Sequence, residues 1–323
     1  MTASRVINKD ANVRPETRER VNAAIAALNY APNSAARLLA GAARTRIALL
    51  YGNPSAAYLS EVLLGCLSEA SRSDVQLMLV RCDDGLDPTA VAARVLADRP
   101  DGVILPPPFC DVPEIVERLL SAGIATVVLA TGAPAAGAYG VTIDDALAAA
   151  EMTRHLLGLG HRRIGFIGGA ANQTASARRL EGYRLALREA GLPADEALVA
   201  QGDFSYRSGL VAAGQLLAVS PRPTAIFASN DDMAAAAVAA AHRLHLEVPG
   251  DLSVCGFDDT ALATTISPEL STVRQPVAEM AQAAVEMLAI AARRRRHGET
   301  AAPERRLFRH EIVRRQSDAA PQA

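Results

Sequence analysis

The sequence predicts an α/β chain of two doubly wound parallel-sheet lobes, preceded by a small, incomplete all-α head. Three observations carry this. From Arg46 onward, short β-branched runs alternate with amphipathic helical stretches, the pattern of parallel sheets covered by helices on both faces. Ten such runs are too many for one compact sheet, and a break near "HLLGLGHRRIGFIGG" divides them. Charge is divided too. The first 46 residues hold eight basic and three acidic side chains, so the head carries +5 and the rest −7 in a chain of formal net charge −2. A basic head on an acidic body points to a polyanionic partner for the head alone.

The head opens with "TASRVIN", enough for a helix of about two turns. Ser4, Arg5 and Asn8 share its exposed sector, and Val6 and Ile7 give apolar contacts. A longer helix begins at Pro15, a residue suited to the first helical position. Val21, Ala24, Ile25 and Leu28 recur along it at helical spacing. The short helix is too small to cover that stripe, so the stretch reads as the second half of a larger motif. "APNSAARLLAG" follows, a short helix ending at Gly41. It reads either as a linker packed on the body, or as a hinge that orders on DNA and pushes a leucine between base pairs of the minor groove.

In the body, the strands are "RIALLYG", "VQLMLVRCD", "DGVILPPP", "ATVVLAT" and "YGVTID", then "RRIGFIGG", "ALVAQGDF", "TAIFASND", "LSVCGFDD" and "STVRQP". Ligands of such sheets sit where strands end and loops begin. The polar residues at those ends are Asp144, Asp145, Asn230, Asp231, Asp258, Asp259 and Gln275, all placed to face a crevice between the lobes. Asp144, Asp231 and Asp259 directly precede helical stretches and are equally good N-caps.

Composition excludes several classes. No apolar run reaches the ~18–20 residues of a membrane span, and the N-terminus lacks a signal-peptide core, so a soluble cytoplasmic protein is expected. Cys66, Cys82, Cys110 and Cys255 have neither CxxC spacing nor a histidine at metal-ligand spacing, so they read as buried free thiols; neither metal nor cofactor is expected. No GxSxG, P-loop or HExxH motif occurs. His155, His161 and Ser176 lie near one another only in sequence, and Asp258 and Asp259 share one loop without glycosidase spacing. The chain is not expected to be an enzyme.

The motifs "TASRVIN", "VRPETRERVNAAIAALNYAPNSAARLLAG", "HLLGLGHRRIGFIGG", "SARRLEGYRLAL", "FASNDDMAAAAV", "LSVCGFDDT" and "LSTVRQP" resemble the lactose-repressor/galactose-repressor (LacI/GalR) family of bacterial transcription regulators. Each is weak alone. They stand in family order from Thr2 to about Ser317. The resemblance implies a helix-turn-helix head, truncated here, a hinge helix, and a body like the periplasmic sugar-binding proteins. It also implies a homodimer on a pseudo-palindromic operator, controlled by a small effector, most often a sugar or sugar derivative. Residues 1–45 would be the head and hinge. Residues 46–323 would be the body, with one lobe of about 46–157 plus 277–304 and the other of about 158–273 plus 305–317.

Residue by residue, the resemblance puts Thr2, Ser4, Arg5 and Asn8 on the recognition helix, where Arg5 can make a bidentate contact with guanine O6 and N7. Tyr30 and Asn33 fall where the family touches the DNA backbone. Leu39 matches the hinge wedge, with Ala36 the small residue that lets two hinge helices meet. In the body, Asp145, Arg179, Asn230, Asp258 and Gln275 match effector-binding positions. Phe204 matches an aromatic that packs on the ligand, and Asn53 and Tyr58 form the opposite wall. Carboxylates and a planar guanidinium read vicinal hydroxyls well, and an aromatic face suits the C–H face of a pyranose. If these residues serve the ligand alone, Arg179→Ala and Asp258→Ala leave the body folded. The bland alternative for Arg179 is a structural ion pair with Asp258.

The sequence departs from the family at Arg14, where a Ser or Thr cap is usual. The tail "RRQSDAAPQA" is polar and lacks leucine heptads, so a dimer is expected rather than a tetramer. Arg293 to Arg296 read as a solvated helix end, where cations complement the helix dipole. Three functions compete: an operator-binding repressor, a sugar sensor that binds no DNA because its head is truncated, and, least supported, an enzyme. A methionine ordinarily precedes the recognition-helix Thr in this family, so Met1 reads as an internal residue. Genomic sequence upstream of Met1 is expected to continue in frame for about 15–20 codons, one helix and a turn. A chain beginning at Met1 is expected to bind operator weakly, and a stop codon directly upstream would contradict the extension.

Overall fold

The computed structural model describes residues 6, 13–27, 44–82, 87–299 and 302–322. The chain divides into two compact units, Met1–Arg44 and Thr45–Ala323.

In the first unit, helix α1 (Pro15–Ala27) starts at Pro15 as the sequence requires, with Glu16 in its first turn complementing the helix dipole. Val21 and Ile25 of the apolar stripe are half-buried and Ala24 is exposed; Val6 is buried. The sequence-derived DNA contacts Thr2, Ser4, Arg5, Asn8, Tyr30, Asn33 and Leu39 lie outside the described residues, as do Leu28 and Ala36.

The second unit holds two sheets. The first contains β1 (Thr45–Tyr51), β2 (Val75–Arg81), β3 (Gly102–Leu105), β4 (Ala125–Leu129), β5 (Tyr139–Ile143) and β11 (Arg305–Phe308), in the order β11-β5-β4-β3-β1-β2. The second contains β6 (Ile164–Gly168), β7 (Val199–Gln201), β8 (Ala225–Ala228), β9 (Ser253–Asp258), β10 (Ser271–Arg274) and β12 (Glu311–Val313), in the order β12-β10-β9-β8-β6-β7. All pairings are parallel except that of β12 with β10. The central strands β3, β8 and β9 are buried throughout, which is why they read as continuous apolar runs rather than alternating ones.

Helices α2 (Ala56–Arg72), α3 (Pro88–Ala97), α4 (Pro113–Ser121) and α10 (Val277–Arg296) belong to the first lobe. Helices α5 (Asp145–Gly158), α6 (Thr174–Glu189), α7 (Tyr206–Leu217), α8 (Asp231–Arg243) and the single turn α9 (Leu262–Thr265) belong to the second. Glycines set the closest helix contacts. A Cβ at Gly182 of α6 would lie 2.0 Å from the Ala146 carbonyl of α5, and one at Gly65 of α2 would lie 2.1 Å from the Ala278 carbonyl of α10. Only glycine permits either approach.

The chain crosses between lobes three times: from β5 into α5, from β10 into α10, and from β11 to β12. The first and third crossings correct the sequence-based boundaries, which put 145–157 in the first lobe and 305–317 wholly in the second. Arg305–Phe308 pairs with β5 in the first sheet, and only the chain beyond it joins the second. "RRLFRHEIV" does not read as strand because its charges fall on both faces and Leu307 is exposed, and each half is a short edge strand.

The segment after β12, read from sequence as a polar tail, is packed into the second lobe. Ser317 and Asp318 are buried. The Ser317 carbonyl accepts from Val254 N at 2.8 Å, and its hydroxyl donates to the Val254 carbonyl at 2.5 Å. Asp318 meets His155 Nε2 at 2.7 Å and accepts from the Ser271 hydroxyl. Those partners hold its carboxyl below the usual range despite its burial, the His155 hydrogen bond first among them. His161 Nε2 contacts the Ala319 carbonyl at 2.9 Å, and burial lowers its pKa. Asp318→Ala strands these partners and is expected to destabilise the body by about 2–3 kcal/mol. Thermal denaturation checks this; an unchanged Tm would show that the segment is not integral to the lobe.

Candidate functional site

Loops at the strand ends converge on one cleft between the lobes. Its interior open to a water molecule is about 30 Å³, so the cleft is nearly closed as it stands and must open to admit a small ligand. From the first lobe, Asn53 and Ser55 follow β1, Tyr58 stands in the first turn of α2, Pro107 follows β3 and Ala130 follows β4. From the second, Gln173, Ala175 and Arg179 come from the start of α6, Phe204 precedes α7, Asn230 precedes α8, Asp258 ends β9 and Gln275 follows β10.

Arg179 is the hub. Its Nε donates to Asp145 Oδ1 at 2.8 Å and its Nη1 to the Ser229 carbonyl at 2.5 Å, with Asp258 Oδ1 at 3.8 Å. The guanidinium lies 3.6 Å from the Phe257 ring centroid and 5.9 Å from that of Phe204, a cation–π arrangement. Arg179, Asp145 and Asp258 are each no more than 5% exposed. Burial pushes the Asp145 and Asp258 carboxyls up, and Arg179 opposes the shift at both. The structural partner of Arg179 is therefore Asp145, with Asp258 a looser second, where the sequence had weighed Asp258 alone.

That wiring corrects the expectation that Arg179→Ala leaves the body folded. Removing the arginine strands a buried carboxylate, a change that costs about 3–5 kcal/mol. Arg179 is thus a poor probe of ligand binding.

Backbone strain collects at the same place. Ala130, Phe204 and Asp258 have φ of +55°, +71° and +110°, conformations that cost about 1–3 kcal/mol for non-glycine residues. Gly169 makes room for one of them, since a Cβ there would lie 2.0 Å from the Phe204 ring.

Of the sequence-derived effector residues, Asn53, Tyr58, Arg179, Phe204, Asn230, Asp258 and Gln275 line the cleft, while Asp145 sits behind Arg179. Several are committed to the protein itself. Asn53 donates to the Pro107 carbonyl at 3.1 Å and accepts from Ser55 N at 2.8 Å. Asn230 caps α8 by accepting from Met233 N at 3.0 Å, and it donates to the Phe204 carbonyl at 2.9 Å. Gln275 Nε2 donates to Asp258 Oδ1 at 2.6 Å. Tyr58 Oη and Gln275 Oε1 are both buried and without a hydrogen-bond partner in the protein.

The other strand-end aspartates do not face the cleft. Asp144 caps α5 by accepting from Leu147 N. Asp231, which is not the cap of α8, accepts from Thr260 N, Thr260 Oγ1 and Thr272 Oγ1, and burial raises its pKa to about 7. Asp259 pairs with Arg274 at 2.7 Å and Arg315 at 2.6 Å.

Sequence reasoning missed Ser55, Pro107, Ala130, Gln173 and Ala175. The signal that could have found them is their position on loops or helix starts that follow strands. It also missed the bonds between the lobes. Ser55 Oγ donates to Asp232 Oδ2 at 2.5 Å. Asp111 accepts from Thr174 N at 2.9 Å and Thr174 Oγ1 at 2.8 Å, and Thr131 Oγ1 lies 3.1 Å from Thr174 Oγ1. All four cysteines are buried free thiols. Among the described residues, no helix is long and apolar enough to cross a membrane, and no cluster of His, Cys, Asp and Glu is placed to hold a metal.

Two lobes of parallel sheet joined by three crossings around a polar cleft define a periplasmic-binding-protein-like body, and residues 153–317 match the family model for that domain. Residues 1–33 match the model for bacterial regulatory proteins of the lacI family. The chain is 33% identical over 323 residues to the HTH-type transcriptional regulator CelR of Thermobifida fusca, covering 98% of this chain and 94% of that one. It is 36% identical to DegA of Bacillus subtilis over 86% of this chain and 83% of that one. Among solved structures, a CelR–cellobiose complex matches with a TM-score of 0.78 at 31% identity, covering 97% and 94% of the two chains. A lac repressor dimer bound to operator and an anti-inducer matches with a TM-score of 0.79 at 26% identity, covering 99% and 95%. The chain belongs to the lacI family of bacterial regulatory proteins, and it is a transcription regulator rather than an enzyme.

Tyr58→Phe removes one unpartnered buried hydroxyl and nothing else. It is expected to leave the ligand-free body as stable or up to about 1 kcal/mol more stable, while weakening effector binding about tenfold. Paired thermal melts and titration calorimetry check both halves; unchanged affinity would remove Tyr58 from the ligand's contacts.

Proposed function

We propose that this chain represses carbohydrate-metabolism genes by binding operator DNA as a cytoplasmic homodimer, with a small polyhydroxylated effector in the cleft altering its operator affinity. The observation that carries this reading is the pairing of two unsatisfied polar atoms, Tyr58 Oη and Gln275 Oε1, with the Arg179–Asp258 pair and the Phe204 ring in one buried cleft. Hydrogen-bonding groups beside an aromatic face are what a sugar ring calls for. The charge division supports the DNA half, because the basic head is where phosphates would be met.

Within the head, Arg5 would read a base, Thr2, Ser4 and Asn8 would hold phosphates, Tyr30 and Asn33 would follow the backbone, and Leu39 would wedge the minor groove. The effector would touch Asn53, Tyr58, Arg179, Phe204, Asn230, Asp258 and Gln275, and Asp145 would act by holding Arg179. The relatives support a sugar effector, since CelR is solved with cellobiose and another family member with ribose.

Footprinting on the DNA upstream of the protein's own gene, with and without a sugar panel, tests the reading. A protected pseudo-palindrome is expected, with affinity that falls steeply as salt rises and changes at least tenfold with one sugar. Absence of sequence-specific protection at physiological salt would contradict it.

A further inference from the structure

Among the described residues lining the cleft, Arg179 is the one cation, and it is already paired within the protein. Among the lining residues only Arg179 and Asp258 are charged. The Arg179 guanidinium is bonded to Asp145 and to the Ser229 carbonyl, approaches Asp258, and rests its face on Phe257. The Asp145 carboxylate therefore balances the one guanidinium, with Asp258 close beside it. An anion entering here meets no unmatched positive charge, and burying an unpaired charge costs several kcal/mol per ion.

Helix N-termini are the other common way to bind phosphate, and three of them open on this cleft. At each, a side chain already takes one of the free amides. Ser55 Oγ accepts from Tyr58 N at the start of α2, Asn230 Oδ1 accepts from Met233 N at the start of α8, and Asp111 Oδ2 accepts from Thr174 N at the start of α6. Asp111 sets a carboxylate at the one terminus whose own cap residue, Gln173, makes no capping bond. The two buried lining atoms without a partner, Tyr58 Oη and Gln275 Oε1, are uncharged.

We propose that the effector is an uncharged polyhydroxylated molecule, and that the cleft rejects phosphate esters and carboxylates of the same skeleton. This rests on the effector reading above and narrows it, because sugars and their phosphates share every hydroxyl contact and differ in the charge this cleft does not match. A phosphate ester binds at least ~100-fold more weakly than its neutral parent.

The test uses the full chain. Small-molecule extracts of the source cells, grown on several carbon sources, are separated by anion and cation exchange, and each fraction is assayed for thermal stabilisation. Glucose, galactose, ribose and cellobiose are run beside glucose 6-phosphate, galactose 6-phosphate and ribose 5-phosphate. A rise in Tm of about 5 °C is expected from the uncharged flow-through, together with a reduced rise in Tyr58→Phe. Stabilisation that elutes with the anions and disappears on phosphatase treatment, or a sugar phosphate that outperforms its neutral parent, would overturn the proposal while leaving a ligand-binding cleft intact. Stabilisation by no fraction and no probe would overturn the effector reading beneath it.

Discussion

The buried pair of Arg179 and Asp145 is the constraint on which the site depends. Asp145 stands where the chain leaves β5 and enters the second lobe, and Arg179 comes from the start of α6. Joining them fixes the first crossing to the floor of the cleft. The same guanidinium bonds the Ser229 carbonyl at the end of β8, faces Phe257 on β9, and approaches Asp258. One side chain thereby aligns the ends of three strands and two helices. A lysine could not do this, because the planar fork and ring-stacking face of arginine are both used.

The crossings explain how a ligand in the cleft could bear on the whole body. Gln275 lies between β10 and α10, at the second crossing, and bonds Asp258. His310, between β11 and β12, meets Glu151 of α5 at 2.9 Å across the third. Two crossings thus carry residues of the site or directly behind it. Bonds such as Ser55 to Asp232 and Thr174 to Asp111 hold the lobe faces together around them. A ligand that favours one lobe angle has differential contacts through which to shift it.

Much of this was legible from sequence, for a definite reason. Buried parallel strands are apolar runs that stop abruptly, so the eight central strands and the polar residues closing them stand out. Other features needed the third dimension. The choice of Asp145 over Asp258 as the partner of Arg179 depends on how the first crossing is laid over α6. Asn230, rather than Asp231, caps α8 because the helix begins one residue earlier than a cap at Asp231 would imply. The positive φ at Phe204 and Asp258 leaves no compositional mark. β11 and β12 were missed because "RRLFRHEIV" supplies edge strands too short and too charged to show a period. The packed segment at Ser317 and Asp318 reads as an ordinary polar tail until its partners, His155, Val254 and Ser271, are seen beside it.

The central claim, that Arg179 and Asp145 act as one unit, is tested most directly by a double-mutant cycle on the ligand-free body. Arg179→Met, Asp145→Leu and the double substitution are compared by equilibrium unfolding. The account expects each single change to cost more than the fraction of the pair it removes, since each strands a buried partner, and the double variant to recover at least about 2 kcal/mol of the summed loss. Strict additivity would contradict it, and would show that Arg179 is held by the Ser229 carbonyl and Phe257 without its carboxylate.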